Sequence, residues 1–212
     1  LARGFFFALN RGGNHQNRED VVRILDSPKL PGAVNLTPKN AMRNERDVDV
    51  LFAMADAAIA ENRIEEGKAL LDEILMIDPK YGRAYNHLGW FYVAKVENTA
   101  RAEEFFNLAL KYSPDYPAVY INLGRLYFQL RRYPEAVAIL NRALEVPGAD
   151  FAAVYDVLSG VYERKGEYRE AYRCLKKAHT DATNTPYLNY IKSEMKRVRG
   201  RLNPLEVLSV FL

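Results

Sequence analysis

One block of sequence recurs along this chain at a fixed step, and that period restricts the fold more than any other feature. Tyr85-Asn86-His87-Leu88-Gly89-Trp90-Phe91-Tyr92 and Tyr120-Ile121-Asn122-Leu123-Gly124-Arg125-Leu126-Tyr127 share an aromatic, a Leu-Gly pair and a Tyr at one spacing. Tyr155, Leu158, Ser159 and Tyr162 form a third copy, and Leu51, Met54, Ala55 and Ala58 a weaker one. The anchors Leu51, Tyr85, Tyr120 and Tyr155 stand 34, 35 and 35 residues apart. A second block follows each anchor: Gly67, Leu71 and Ile74; Ala102, Phe106 and Ala109; Ala136, Leu140 and Ala143; Ala171, Leu175 and Ala178. Pro79 and Pro114 close two of these blocks, and Pro147 falls one place early in the third.

At 100° per residue, an anchor and its neighbours three, four and seven positions on share one helical face. The small residue four places after the anchor (Gly89, Gly124, Ser159) admits a second helix at close range, and Gly67, Ala102, Ala136 and Ala171 do the same from the other side. Such a helix pair cannot bury its apolar face alone, so stacked copies share one continuous core. The pattern predicts helices of about 13 residues joined by short turns. The 35-residue steps read as single insertions in turns, at Asn98-Thr99 and near Pro147-Gly148.

This arrangement resembles the tetratricopeptide repeat family, whose units carry an aromatic, Leu-Gly and Tyr, then Ala, Phe, Ala and Pro. The resemblance covers residues 48–183 and is weakest in the first unit, where Gly67 and Ala58 replace larger residues. It implies an all-α, right-handed α-solenoid of about four helix-turn-helix repeats, at 48–81, 82–116, 117–151 and 152–183. An irregular segment over 1–47, with a short helix, precedes them. A C-terminal capping helix with an apolar tail, over 184–212, follows.

The chemistry classes exclude themselves quickly. Cys174 is the only cysteine, so no intrachain disulfide or multi-Cys zinc site is expected. His15, His87 and His179 are too scattered for a local metal motif, and no phosphate-binding glycine loop or Gly-x-Ser-x-Gly elbow occurs. Glu65-Glu66 and Glu103-Glu104 read as acids complementing helix N-termini, not as catalytic pairs. Ser159-Gly160 reads as a packing site and Cys174 as an inert, partly buried thiol. No enzyme activity, cofactor or metal is expected. The longest run without a charged side chain, 84–94, has 11 residues against the roughly 20 a membrane helix needs. Residues 1–10 lack the order of a complete secretory signal, and cytoplasmic and periplasmic settings stay open.

The net charge of +3 is too small for a nucleic-acid coat. The basic side chains Lys192, Lys196, Arg197, Arg199 and Arg201 gather near the C-terminus, but without interleaved aromatics, so nucleic acid is not an expected partner. In the flanks, Phe5-Phe6-Phe7 forms an apolar run. Asn17 caps a short helix reaching Asp26, with Val21, Val22, Ile24 and Leu25 apolar. Residues 27–37 form a proline-rich connector, and Thr37-Pro38 opens a helix into the first repeat. The sequon Asn35-Leu36-Thr37 precedes Pro38 and is not expected to be used. A helix is expected over 186–199, then an apolar turn over 205–212 that folds back on the last repeat or docks elsewhere.

Family members hold peptides in the groove lined by positions that point away from the stacking face. Carried over, these are Arg83, Asn86, His87, Trp90 and Val93 in the second repeat, and Ile121, Asn122, Arg125, Phe128 and Gln129 in the third. The fourth adds Asp156, Val157, Glu163 and Arg164, and the first Asp49, Phe52, Asp56 and Ile59. The co-chaperone subclass clamps a peptide's terminal carboxylate with Lys, Asn and Arg side chains. Here only Asn122 fits, since Asn86, Trp90, Ala153 and Val157 stand at the other positions, and chaperone-tail binding is not expected. The expected function is a non-enzymatic scaffold binding a protein or peptide partner. The alternative is a subunit of a larger assembly or homo-oligomer built through the terminal segments.

Overall fold

The computed structural model describes residues 38–203 and 205–207. The expectations for Phe5-Phe6-Phe7, the 17–26 helix, the connector, the sequon and residues 208–212 lie outside these. All regular structure among the described residues is helical. Contacts divide it into two compact units, one ending at Ser113 and the other beginning at Pro114.

The first unit holds α1 (Pro38–Ala60), α2 (Ile64–Ile77), α3 (Gly82–Phe91) and α4 (Thr99–Tyr112). Antiparallel packing of α1 on α2 is tightest at Gly67, where an added Cβ would stand 2.6 Å from Ile59 and 3.2 Å from the Ala55 carbonyl. Gly89 plays the same part between α3 and α4, against the Phe106 ring. The core joins Ala55, Ala58, Leu71 and Ile74 to Leu88, Phe91, Phe106 and Ala109. Glu65 and Glu66 fall in the first turn of α2, where they suit the helix dipole. Glu103 and Glu104 do not open α4, which starts earlier, at Thr99 under an Asn98 cap; Glu104 instead pairs with Arg101 at 2.6 Å.

The surplus residue of the second repeat lies elsewhere than the expected Asn98-Thr99 turn. It is absorbed in the helix: α3 runs on as a π-helical turn, Tyr92–Val96, closed by Asn98 N–H donating to the Tyr92 carbonyl. The surplus of the third repeat does fall near Pro147-Gly148, in a turn where Gly148 takes φ 77°.

The second unit holds α5 (Pro117–Gln129), α6 (Tyr133–Ala143), α7 (Phe151–Arg164), α8 (Tyr168–Asp181) and α9 (Thr185–Arg199). Gly124 admits Leu140 between α5 and α6. The anchor tyrosines explain the closing prolines. Tyr85 and Tyr120 donate their hydroxyls to the carbonyls of Pro79 and Pro114, at 2.9 and 2.7 Å, tying each helix start to the turn before it. The C-terminal helix is capped by Asn184, which accepts from the Tyr187 N–H, and seals Ala171, Tyr172, Leu175 and Ala178 with Ile191 and Val198. Beyond it, Asn203 and Glu206 exchange backbone and side-chain hydrogen bonds at 2.9 Å in a capping box.

Candidate functional site

Two inner faces result, one in each unit. In the first, α1 turns Asp49, Phe52 and Asp56 toward α3 and the turn before it. The Tyr81 hydroxyl donates to Asp49 at 2.9 Å. Burial, with the Asp49 carboxylate beside it, pushes the Tyr81 pKa up to about 12. The Phe52 ring lies 5.5 Å from Tyr81 and meets His87 edge-on at 4.9 Å. His87 Nε2 stands 2.9 Å from Asp56 Oδ1, and Nδ1 stands 3.1 Å from the Arg83 carbonyl. The His87 hydrogen bond holds the Asp56 carboxyl below the usual carboxylate range, with burial opposing. Trp90 follows His87 by three residues, shares its side of α3 and is half-buried. Arg83 is exposed at the start of the same row.

In the second unit the expected residues separate into three groups. Gln129 is exposed, and Asn122, Arg125 and Phe128 are half-buried along α5. Arg125 is held in a setting where burial lowers its pKa, while the charges of Asp156 and Asp150 and the hydroxyls of Tyr187 and Tyr190 oppose that fall. Asp156 is itself only 7% exposed and receives the Tyr190 hydroxyl at 3.3 Å. Glu163 is taken by α9: Arg197 donates to it through both Nη atoms and also to Glu194, at 2.7 Å.

Asn86, 3% exposed, matches Asp156 in burial. Both directly follow an anchor, at the position where Phe52 on α1 meets α3, and form the floor of an inner face more than its open surface. Tyr187 and Tyr190 were not anticipated. Tyr187 donates to the Ala152 carbonyl at 3.1 Å, and the two rings stack at 5.9 Å. Their signal in the sequence is faint: Tyr190 falls on the anchor step, 35 residues after Tyr155, but without the small residue four places on. No group of three metal-capable side chains occurs among the described residues. Cys174 is buried, with burial pushing its pKa up to about 12.

The family model described as tetratricopeptide repeat matches residues 94–160. Anaphase-promoting complex subunit 7 of Dictyostelium discoideum is 23% identical over 159 residues, which is 74% of this chain and 26% of that protein. The chain thus spans about a quarter of that relative's length. Among solved structures, PilF of Pseudomonas aeruginosa superposes with a TM-score of 0.65 at 21% identity, over 74% of this chain and 70% of that one. TTC0263, a thermophilic TPR protein of Thermus thermophilus, gives 0.60 at 19% identity, over 76% and 85%.

Proposed function

The chain is a tetratricopeptide repeat protein, and on that premise we propose that it holds a segment of a partner protein on the inner faces of its first helices. Proteins of this family bind protein partners and generally work as non-enzymatic scaffolds. The observation that supports this use of the inner face most is the row from Asp49 to Asp56. There Tyr81 and His87 brace Phe52 from two sides, while each carboxylate keeps one oxygen on a neighbouring element. The result is a fixed aromatic and acidic surface, with Trp90 and Arg83 beside it, that can receive a ligand at little ordering cost. Trp and Arg are the side chains that most often dominate such contacts.

In the second unit, Asn122, Arg125, Phe128 and Gln129 offer a further stretch of the same kind. Asp156 and Glu163 support it from below, as Asn86 does the face of the first unit, since their polar groups are occupied or buried. Holding a partner segment in this way calls for no catalytic step, cofactor or nucleic acid. No described helix is long and apolar enough to cross a membrane.

Pull-down with crosslink mapping identifies the partner segment. Trp90→Ala and Arg125→Ala, separately and together, then test the assignment. Each is expected to weaken capture by roughly 30-fold or more, about 2 kcal/mol, with helicity unchanged. Unchanged capture in the double variant, with capture lost on removing 205–212, would favour assembly through the terminal segments.

A further inference from the structure

Three positions on a first helix form the stripe that the preceding repeat seals. On α3 these are Ala84, Leu88 and Phe91, none more than 4% exposed; on α7 they are Val154, Leu158 and Val161, none more than 3%. Their spacing of four and then three residues keeps them within one side of the helix. The same register on α1, 34 residues before that of α3, reads Val50, Met54 and Ala57. There the stripe is open: Val50 is 59% exposed and Met54 50%, and Ala57 is exposed beside them.

The other sides of α1 are already spent. Asp49, Phe52 and Asp56 face α3 and the Tyr81 turn, and Ala55 and Ile59 face Gly67 of α2. Val50, Met54 and Ala57 therefore look toward the place where an earlier repeat would stand, and no described residue covers them. Arrays of this kind end in caps that hide such a face.

The chain leading into α1 supplies a suitable cap. Residues 17–26 read Asn-Arg-Glu-Asp-Val-Val-Arg-Ile-Leu-Asp. As a helix capped by Asn17, this segment carries Glu19 and Asp20 in its first turn, where they suit the dipole. It brings Val21, Ile24 and Leu25 together at i, i+3 and i+4.

The reach also fits. Val50 lies 12 residues into α1 from Pro38, or about 18 Å along its axis. The connector 27–37 has eleven residues and extends to about 36 Å, enough to run beside α1 and return the segment antiparallel across the stripe. Pro28 and Pro31 favour the extended form that this requires. Phe5-Phe6-Phe7 could also reach, but on a tether longer by more than its own length again, which lowers its effective concentration at the stripe. We propose that residues 17–26 fold back as a helix onto Val50, Met54 and Ala57 and cap the start of the repeat array from within the same chain.

The test uses the full chain with Cys174→Ala, carrying Ile24→Cys with Met54→Cys, against Phe6→Cys with Met54→Cys. Under mild oxidation at low protein concentration the first pair is expected to form an intramolecular disulfide at least fivefold faster than the second. A faster Phe6 pair, a predominance of disulfide-linked dimers, or no crosslink in either would each overturn the proposal, the dimers pointing to a second copy as the occupant. A methyl NMR measurement covers the case in which the cysteine variants fold poorly. With Val21→Asp and Leu25→Asp in the otherwise native chain, the Met54 methyl signal should move to the position of a solvated methionine while those of Leu71 and Leu88 stay in place. A Met54 signal that does not move rejects the fold-back.

Discussion

At Gly89 one added carbon would stand 2.6 Å from the Phe106 ring, and at Gly124 the same distance from a Leu140 methyl. Both neighbours are fully buried, so neither can step aside without disturbing the core. Gly89→Ala and Gly124→Ala should each cost about 1–3 kcal/mol in urea denaturation, and Gly124→Leu at least as much. Phe106→Leu should recover part of the first loss by returning the missing space. A polar contact sets a smaller scale. Tyr120→Phe removes only the donor to the Pro114 carbonyl and should cost about 1 kcal/mol. Asp56 adds a dependence on pH. Its folded pKa is depressed, chiefly by the His87 hydrogen bond, so its contribution is complete above the unfolded carboxylate value, about 3.9, and is lost as pH falls through the lower folded value. Between pH 5 and pH 3 the urea midpoint of Asp56→Asn should therefore fall less than that of the native chain.

Turns and caps act on whole elements. The hairpin turns place Asn62, Glu97, Arg131 and Gly166 at positive φ, between 54° and 79°, once in each repeat. Only the last is glycine, so Gly166→Ala meets open space yet forces a side chain into a left-handed backbone, and should destabilise by about 1 kcal/mol. At the other end of the second unit, α9 is fastened to α7 by the Arg197–Glu163 pair, and Glu194 one turn earlier in α9 holds the same guanidinium. Arg197→Ala should speed amide exchange in α9 several-fold and leave α5 and α6 unchanged, as hydrogen-exchange mass spectrometry would show. These elements also mark how far the sequence could be read. Leu-Gly pairs and a 34-residue step identify helix pairs because close approach demands small residues at fixed places. The same wheel assigns Asn86 and Asp156 a direction but not a distance to the next helix, and their burial depends on that distance. Tyr187, Tyr190 and Arg197 escaped because α9 keeps only the anchor: Tyr190 stands 35 residues after Tyr155, but Glu194 replaces the Ala, Gly or Ser that earlier units carry four places on.

For a repeat array as a whole, stability is a sum of local terms and of interfaces between neighbours. Ending the chain at Thr183 would strip Ile191 and Val198 from Ala171, Tyr172, Leu175 and Ala178. Circular dichroism should then show α7 and α8 melting first, with binding of a hydrophobic dye at temperatures where the full chain binds none. The π-helical turn at Tyr92–Val96 has a different consequence, for how the chain tolerates a change of length. A residue carried as a widened loop of backbone, outside the ladder of ordinary helical hydrogen bonds, can be removed without shifting the register on either side. Deleting Ala94 should let α3 close as a plain α-helix into the Asn98 turn and leave the melting temperature within a few degrees of the parent. The same deletion at Ala84 or Val119 would swing every later side chain of its helix by 100° and should unfold the repeat. Loss of a single codon is thus tolerable in this gene segment at one helical address and prohibited at its neighbours.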